Sequence, residues 1–483
     1  MHLSRRTLVR SAVSVAIAAP ALRALAGCAT QNRPPVIARA SALALVPDPA
    51  GLLDLAPGLR YSVLSRAGMR MSDGLLEPAA HDGMAAFPVE GDPDRCVIVR
   101  NHELGASDAH AAVSAFGADG AGLRGVDPAL IYDRVPDGAP HSGGTTTLLV
   151  NTRTGVVERS HLSLAGTMVN CAGGATPWGS WLSCEETQMT PGVTAGKSHG
   201  FVFEVPAMAK GLAAPNPLID MGRFSHEAAA VDPSTGAVYL TEDTSDSLFY
   251  RFLPHAHGDM GRGGRLQALA LLQQAGADTR NWPADKGGNP SQTIRPGEQF
   301  AVRWIDLDGV QSPDGDLRLR GRERGAAIFA RGEGMAFALD SSGPAVYFAS
   351  TSGGAAGLGQ VWRYAPSAHE GTRREADTPG ILELFVESAG QEHFDHVDNI
   401  VASTRGDLIL AEDGEGDQFV RAVTPDGLIY RIARNADPAK SEFCGPCFSP
   451  DGGTLFVNIQ RPGITIAISG DWESLRRDAR RAV

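Results

Sequence analysis

The chain has 483 residues, of which 55 are acidic and 43 basic, with a formal net charge of −12 and a pI near 5.6. A protein this acidic is repelled by nucleic-acid phosphates and by anionic membrane surfaces, so neither is expected as a partner. Six cysteines are few for a chain of this length, so disulfides are not expected to form its scaffold.

The first residues are typical of an export signal. Arg5 and Arg6 precede a weakly apolar run that is too short to span a bilayer. This pattern predicts a Tat-type signal over residues 1–30, recognition by the Tat export machinery, and a periplasmic or extracellular location. The sequence Leu-Ala-Gly-Cys28 also resembles a lipobox, which predicts a lipid anchor on Cys28. Because Arg23 interrupts the apolar run, cleavage without lipidation is the alternative.

Residues 31–483 are predicted to form one all-β domain. A polar turn with glycine, followed by a β-branched or aromatic strand, recurs along the chain, with strands predicted at 238–240, 346–348, 408–410 and 455–457. A repeated unit of this kind is typical of a β-propeller, here with six blades, and we expect a monomer. The long connections between the strands disfavour a β-sandwich.

Two stretches interrupt this pattern and are predicted to be long insertions between strands. Residues 104–142 are rich in Gly, Ala, Asp and Pro, and residues 254–299 contain several glycine turns and one short predicted helix at 266–274. Either stretch could cover the top of a propeller and shape a substrate pocket. The alternative is that both are plain surface loops.

The run from Asn170 to Glu186 reads Asn-Cys-Ala-Gly-Gly-Ala-Thr-Pro-Trp-Gly-Ser-Trp-Leu-Ser-Cys-Glu-Glu. Its glycines allow the backbone to approach a bound group closely, and its thiols and carboxylates are soft and hard metal ligands side by side. The run therefore predicts a metal-site loop. A buried β-corner with hydrophobic cysteines is the alternative.

Further candidate ligands lie at turns and strand ends in separate predicted blades: Glu186, Glu227, Glu242, Glu333, Asp398 and Asp413. A propeller brings such positions together around its axis, and converging carboxylates repel unless cations lie among them. Cys171 adds a thiolate, which calcium does not favour, so it indicates iron, zinc or copper. Ordinary surface acids and an inert, packed thiol are the alternatives.

Three more side chains are candidates for substrate chemistry. Arg331 lies two residues before Glu333, so on a strand both would point to one face, where the guanidinium could hold two phosphate oxygens or form a neutralising salt bridge. Asn399 could supply a carbonyl ligand or an amide to phosphate. His226, like His102, could carry a proton, although a structural histidine is the more common case.

Other motifs indicate no nucleotide cofactor and no redox centre. Walker, Rossmann and Ser-His-Asp patterns are missing from the sequence. The pair Cys444 and Cys447 spells a dithiol motif, but a turn and a strand follow it instead of a helix. A structural thiol pair or a local disulfide is predicted there.

The run from Asn170 to Glu186 resembles the signature loop of the PhoX-type alkaline phosphatases. Further matches follow in that family's order and span residues 97–463; they include Asn-His-Glu at 101–103, Gly-Arg-Phe-Ser-His-Glu at 222–227, Arg-Gly-Glu at 331–333, Val-Asp-Asn-Ile at 397–400 and Gly-Pro-Cys-Phe-Ser-Pro-Asp-Gly at 445–452. Thr187 and Gly332 depart from the family's usual residues.

This resemblance implies an exported, metal-dependent phosphatase that hydrolyses phosphate esters with ferric iron and Ca²⁺. It implies that Cys171 is an iron ligand and that Arg331 contacts the substrate phosphate. The metals would hold and polarise the phosphoryl group, so no side chain needs to act as a covalent nucleophile. A calcium-dependent propeller lactonase or sugar-acid hydrolase, which would not need Cys171, and a non-catalytic calcium-binding propeller are the alternatives.

Overall fold

The structure, a computed structural model, describes residues 36–108 and 114–483. In these two ranges no helix has the length and apolar character needed to cross a membrane. The predicted signal segment, residues 1–30, and the predicted lipid attachment site Cys28 lie outside the described residues, so both stay predictions.

The described chain is built almost entirely of strands. In chain order they are β1 (Arg39–Ala40), β2 (Leu53–Leu55), β3 (Leu59–Arg66), β4 (His81–Val89), β5 (Asp92–His102), β6 (Gly143–Asn151), β7 (Val156–Thr167), β8 (Asn170–Ala175), β9 (Ser180–Glu185), β10 (Val202–Pro206), β11 (His226–Val231), β12 (Val238–Glu242), β13 (Tyr250–Pro254), β14 (Gly264–Leu271), β15 (Gln299–Asp306), β16 (Gly332–Asp340), β17 (Gly343–Ser350), β18 (Gln360–Ala365), β19 (Ile381–Glu387), β20 (Val397–Ala402), β21 (Leu408–Glu412), β22 (Phe419–Val423), β23 (Leu428–Asn435), β24 (Phe443–Phe448), β25 (Thr454–Ile459) and β26 (Ile464–Gly470).

The described helices are few and short. The α-helices are α1 (Leu317–Glu323) and α2 (Trp472–Arg481), and the 3₁₀ helices are Ala106–Asp108, Ala121–Leu123, Pro128–Leu130, Ile219–Met221, Met260–Arg262, Ala284–Lys286, Pro290–Gln292 and Glu375–Asp377. Helix α2 begins after Asp471, whose side chain accepts a hydrogen bond from the Ser474 amide at 2.9 Å. This contact satisfies one of the amides left free at a helix start.

Consecutive strands pair antiparallel into a propeller-like set of sheets, which confirms the predicted all-β class. The sheets are β4–β5–β6–β7, β8–β9–β10, β20–β21–β22–β23 with β1 and β2 added beside β23, and β24–β25–β26 closed by β3. Strands β11 to β14 and β16 to β19 form two further four-stranded units, which β15 joins into one nine-stranded sheet. The first strands β4, β8, β11, β16, β20 and β24 contact one another in this order, and β24 contacts β4.

Small residues allow these first strands to lie close together around a central cavity of about 200 Å³. Gly83, Ala172, Ala228 and Gly334 line it. A Cβ atom added to Gly334 would lie 2.5 Å from the Cα of Asn399, which is closer than carbon atoms can approach. The backbones of neighbouring first strands are therefore in contact, and larger side chains are excluded at these positions.

A β-bulge near the start of each first strand sets the direction of one side chain. In β4, for example, the pairing with β5 shifts between His81 and Met84, so two residues lie outside the ladder. Equivalent shifts occur in the other five first strands. A bulge redirects a side chain at a sheet edge. We call the first unpaired residue of five of these bulges the bulge residues: Asp82, Cys171, Glu227, Glu333 and Asp398.

The four strands predicted from the repeated turn pattern are all present. They fall within β12, β17, β21 and β25, each of which is the second strand of its unit. The predicted helix at 266–274 is wrong, because residues 264–271 form the buried strand β14. Its apolar run is too short to distinguish a strand from a helix, and pairing with β13 and β15 decides for the strand.

The two predicted insertions have different structures. Residues 104–142 connect β5 to β6 and carry three 3₁₀ turns where they are described, whereas residues 254–299 are divided by β14. In the dithiol motif, Cys444 and Cys447 both lie on β24 and are free buried thiols, so the predicted alternative of a local disulfide is not found.

Candidate metal centre

Four of the five bulge residues lie close together beside the central cavity, which is lined by the residues that follow them in sequence. Ligand atoms of Cys171, Glu186 and Glu227 all lie within 4.8 Å of one another, and the same holds for Glu227, Glu333 and Asp398. Glu227 belongs to both groups. The structure therefore brings five of the predicted metal ligands together in two adjoining sets.

Further carboxyl groups surround these two sets. Asp413 raises the pKa of Asp398, second only to burial, and Asp243 does the same to Glu333. We call the whole group the acidic centre: Asp82, Glu103, Cys171, Glu186, Glu227, Asp243, Glu333, Asp398, Asp413 and Glu442. Asp82 and Glu442 were not singled out as ligands from the sequence, and neither Glu103 nor Asp243 was assigned a metal.

The acidic centre holds more negative charge than its environment can stabilise. Burial first, and neighbouring carboxylates second, raise the pKa values of Glu186, Glu227 and Glu333 well above the ordinary range. Burial also raises the pKa of Glu103 to about 7. Buried carboxylates in such numbers require either bound protons or bound cations.

Three carboxyl pairs show the same shortage of positive charge directly. In each pair, in addition to burial, the negative charge of one carboxylate raises the pKa of the other: Asp243 raises the pKa of Glu186, Asp398 that of Glu333, and Asp413 that of Glu442. Buried like charges this close are stabilised by a bound proton or by a cation between them.

The donor atoms also fit a mixed metal cluster. The thiol Sγ of Cys171 donates to Oε1 of Glu227 at 3.2 Å, while Oε2 of Glu227 is buried and has no hydrogen-bond partner among the described residues. A bound cation would satisfy this oxygen. A thiol among carboxylates combines a soft ligand for a transition metal with hard ligands for calcium.

Arg331 lies at the rim of the acidic centre and has a left-handed backbone, with φ of 55°. Its Nε and Nη2 donate to the two oxygens of Asp243, each at 2.8 Å, and Nη2 lies 3.1 Å from Oε1 of Glu333. Its side chain is 39% exposed, so a substrate can reach it. The predicted contact with Glu333 is present, but Arg331 precedes β16 and is not on a strand.

Asn101 holds the β8 bulge that carries Cys171, so the predicted metal-site loop is a strand here. The Nδ2 of Asn101 donates to the carbonyl oxygens of Cys171 at 2.9 Å and Ala172 at 2.7 Å. Its Oδ1 accepts from Nε1 of Trp181 at 2.9 Å and from the hydroxyl of Ser183 at 2.8 Å. Asn101 thus uses all its hydrogen-bonding capacity to fix the backbone of a bulge residue.

Two predicted site residues, Glu242 and His226, lie outside the acidic centre. Glu242 accepts from the hydroxyl of Tyr250 at 2.7 Å, and burial raises its pKa to about 7. His226 is stacked on Phe224 at 3.6 Å, and burial lowers its pKa to about 3. His226 on β11 and Glu242 on β12 lie opposite each other, and both side chains contact residues of the hydrophobic core.

Asn399 lines the central cavity, and its Oδ1 accepts from the Gly445 amide at 2.5 Å. It therefore links β20 to β24. Its Nδ2 is buried and has no hydrogen-bond partner in the part of the chain that the structure describes. His102 is held between the carbonyl of Ala79 and the hydroxyl of Thr146, so it too is a core residue.

The sequence contains a signal that could have identified Asp82 as a member of the acidic centre. Four of the five bulge residues are followed directly by Gly or Ala, as in Asp82-Gly83 and Cys171-Ala172, and the next strand always begins with the turn pattern described above. The bulge residues can therefore be recognised in the sequence as an acid or thiol that precedes a small residue and lies in the strand before a predicted turn. In the sixth first strand this position is Gly445, and Glu442 before that strand supplies the carboxylate.

The family comparison decides the class of the chain. The model of the family Alkaline phosphatase PhoX matches residues 41–463. The chain belongs to the PhoX alkaline phosphatase family. This confirms the predicted family and the predicted enzyme class, phosphoric ester hydrolase. The family is metal-dependent, and the chain contains candidate metal-binding groups.

A solved structure shares the fold of this PhoX family member. Pseudomonas fluorescens PhoX in complex with vanadate, a transition state analogue, has a TM-score of 0.62 and 18% identity, over 90% of this chain and 98% of that chain. A gluconolactonase from Xanthomonas campestris scores 0.35 with 11% identity over 90% and 98%. A luciferin-regenerating enzyme scores 0.39 with 10% identity over 86% and 96%. No curated protein matches the sequence.

Proposed function

We propose that the protein is an exported, metal-dependent alkaline phosphatase that hydrolyses phosphate esters at the acidic centre, on a six-bladed propeller. The observation that carries the proposal is the convergence of Cys171 and the carboxylates of Glu186, Glu227, Glu333 and Asp398 in a member of the PhoX family. The ring of six first strands supports the number of blades.

The two ligand groups suit two kinds of metal. Cys171, Glu186 and Glu227 would hold ferric iron, because they include the thiol. Glu227, Glu333 and Asp398 offer oxygen atoms alone and would hold Ca²⁺. When bound, these ions would hold and polarise the phosphoryl group.

Arg331 would bind the phosphate. It is the exposed cation next to the carboxylates, and its guanidinium is held in place by Asp243 and Glu333. A fixed guanidinium stabilises charge that develops on phosphoryl oxygens and loses little entropy in doing so. Arg461, at the same rim, lowers the pKa of Glu103 and is a second cation there.

Kinetics on phosphate esters test the function. With iron and calcium supplied, we expect turnover of a chromogenic phosphate ester, and Arg331→Ala should lower kcat/KM by about a hundredfold, about 3 kcal/mol in transition-state binding. Arg331→Lys should recover little of it, because a point charge does not replace the planar fork. Arg322→Ala is the matched control, since Arg322 is also half-exposed and paired with an aspartate, Asp246, away from the centre.

Metal analysis separates the alternatives. Cys171→Ser should lose iron, whereas Cys184→Ala, which removes a buried thiol from the core, should keep it. Turnover of a lactone instead of phosphate esters, with calcium and without iron, would favour the propeller lactonase. Calcium binding without any turnover would favour the non-catalytic propeller.

The twin-arginine segment supports export by the Tat machinery to the periplasm or beyond, and Cys28 remains the candidate lipid anchor. Cell fractionation of the unmutated chain, of an Arg5→Lys, Arg6→Lys variant and of Cys28→Ala tests both. We expect the first variant to stay in the cytoplasm and the second to become soluble after export.

A further inference from the structure

A second group of metal-ligand side chains lies outside the acidic centre. Ligand atoms of Asp133, His141 and His199 lie within 4.8 Å of one another, and all three residues are buried. Asp133 and His141 belong to the segment before β6, and His199 to the segment before β10. The group therefore joins two segments that belong to neighbouring sheets.

Among the described residues, both ring nitrogens of His141 are buried without a hydrogen-bond partner. Its side chain has no exposed surface, and neither Nδ1 nor Nε2 forms a hydrogen bond within the described residues. Its Nε2 lies 3.6 Å from Oδ2 of Asp133, which is too long for a hydrogen bond. Its ring meets that of His199 edge to face, with centroids 5.3 Å apart. A buried imidazole normally has a partner, so this one requires an explanation.

His199 is held in the orientation that metal-binding histidines adopt. Its Nδ1 lies 2.6 Å from Oε1 of Glu185, and its Nε2 lies 3.1 Å from Oδ2 of Asp133. Glu185 is itself fixed by the amides of Met168 and Gly200. A carboxylate that receives one ring N–H, with the other nitrogen turned to a ligand site, is the usual support of a metal-bound histidine.

A proton explains only part of this arrangement. If His199 is doubly protonated, it can donate to both Glu185 and Asp133, but His141 still has no partner. A cation between Asp133, His141 and His199 accounts for all three ligand atoms at once. It also gives a ligand role to the buried ring nitrogens of His141, which have no hydrogen-bond partner among the described residues.

We propose that Asp133, His141 and His199 bind one divalent transition-metal ion such as Zn²⁺, with Glu185 positioning His199. Two imidazoles and one carboxylate suit Zn²⁺ and its first-row neighbours better than Ca²⁺. Asp133 also accepts from the amides of Gly196 and Lys197, each at 2.9 Å, so the ion would fix the loop before β10. Because the group is buried, its role would be structural.

Cobalt titration of the full-length protein tests the site. Metal-stripped protein is loaded with Ca²⁺ and iron and then titrated with Co²⁺, whose visible absorption reports nitrogen and oxygen ligation. We expect the unmutated protein to bind one more Co²⁺ per chain than His141→Ala. His161→Ala is the matched control, because His161 is also buried with a free Nε2 but belongs to no ligand group.

Two near-isosteric variants keep the test decisive if His141→Ala folds poorly. His141→Gln fills the same space, and Asp133→Asn can still accept from the two amides. We expect Zn²⁺ to raise the melting temperature of the unmutated protein and of His161→Ala, but not of these two variants. The proposal is overturned if all variants bind the same number of Co²⁺ ions, or if Zn²⁺ raises the melting temperature of all of them equally. It is also overturned if His161→Ala loses as much Co²⁺ binding as His141→Ala.

Discussion

Glu185 and Glu186 are neighbours at the end of β9, but their carboxylates contact two different groups of residues. Glu185 accepts from Nδ1 of His199 at 2.6 Å, whereas Glu186 lies within 4.8 Å of Cys171 and Glu227 in the acidic centre. Successive residues at a strand end point in opposite directions, so one short sequence contributes to two separate groups.

This division predicts different phenotypes for two single changes. Glu186→Gln should release metal from the acidic centre and lower phosphatase turnover at least tenfold, while the unfolding free energy of the metal-stripped protein is not lowered. Glu185→Gln should lower the free energy of unfolding by about 2–4 kcal/mol, because a buried carboxylate that accepts several hydrogen bonds loses its charge. Metal content and chemical denaturation of both variants check this. Loss of metal without loss of stability in Glu185→Gln would contradict it.

Gly334→Ala should destabilise the ring of first strands. Its Cβ would lie 2.5 Å from the Cα of Asn399, so β16 and β20 must separate, at a cost of about 1–3 kcal/mol. Gly211→Ala is the matched control, because no atom lies within 4 Å of its added Cβ and its φ is not in the left-handed region. Equal denaturation midpoints for the two variants would show that the strands tolerate the methyl group.

Asn101→Ala should destabilise the β8 bulge that carries Cys171. The change leaves the carbonyls of Cys171 and Ala172 and the N–H of Trp181 without partners, which costs about 2–4 kcal/mol in total. Asn101→Asp should be no better, since a carboxylate cannot donate to the two carbonyls. We expect both variants to melt earlier and to lose iron. Retention of all iron would show that the bulge is held by other contacts.

Chelation should lower activity and thermal stability together. Cations bound between the buried carboxylates of the folded protein are lost on unfolding, so they stabilise the fold by linkage. We expect a lower melting temperature in excess chelator after several hours, and its recovery on adding Ca²⁺ and iron. A melting temperature unaffected by prolonged chelation would exclude a structural contribution of the metals.

Part of the free energy of unfolding should depend on the ionised carboxylate of Glu77 and should therefore be lost in acid. Although burial alone would raise its pKa, the ion pair with Arg100 at 2.9 Å and the contact with His81 lower it to about 2. Because the folded pKa is below the unfolded value of 4.5, about 3 kcal/mol is present above pH 4.5 and is lost as the pH falls towards 2.

Denaturation of metal-stripped protein at several pH values measures this contribution. The difference in unfolding free energy between the unmutated protein and Glu77→Gln should be largest near neutral pH and should shrink between pH 4.5 and 2. Glu158→Gln, which removes a surface carboxylate paired with Arg95, should show little pH-dependent difference. A difference that stays constant with pH would contradict the assignment.

Much of the fold could be predicted from local sequence, because the second strand of each unit follows a turn with a recognisable residue pattern. The strand β14 could not, since its short apolar run is equally compatible with a helix until its neighbours pair with it. The convergence of Cys171 with Glu227 and Asp398 was predictable from the propeller architecture.

The individual members of the acidic centre were harder to predict. Glu242 lies on a strand end like the true members, but its partner Tyr250 is visible only after β12 and β13 pair. Asp82 was missed because a single Asp-Gly looks like a turn, and only the bulge directs it inwards. His141 and Asp133 lie in a loop whose path no local pattern determines.

The last sheet is completed by a strand from the other end of the chain: β3 pairs with β26, with Arg66 opposite Ile464. Because these two strands come from opposite ends of the described chain, this sheet can form only after the strands of every other unit have been synthesised. Contacts between residues so distant in sequence form slowly. Closure by β3 is therefore expected to be a late step in folding.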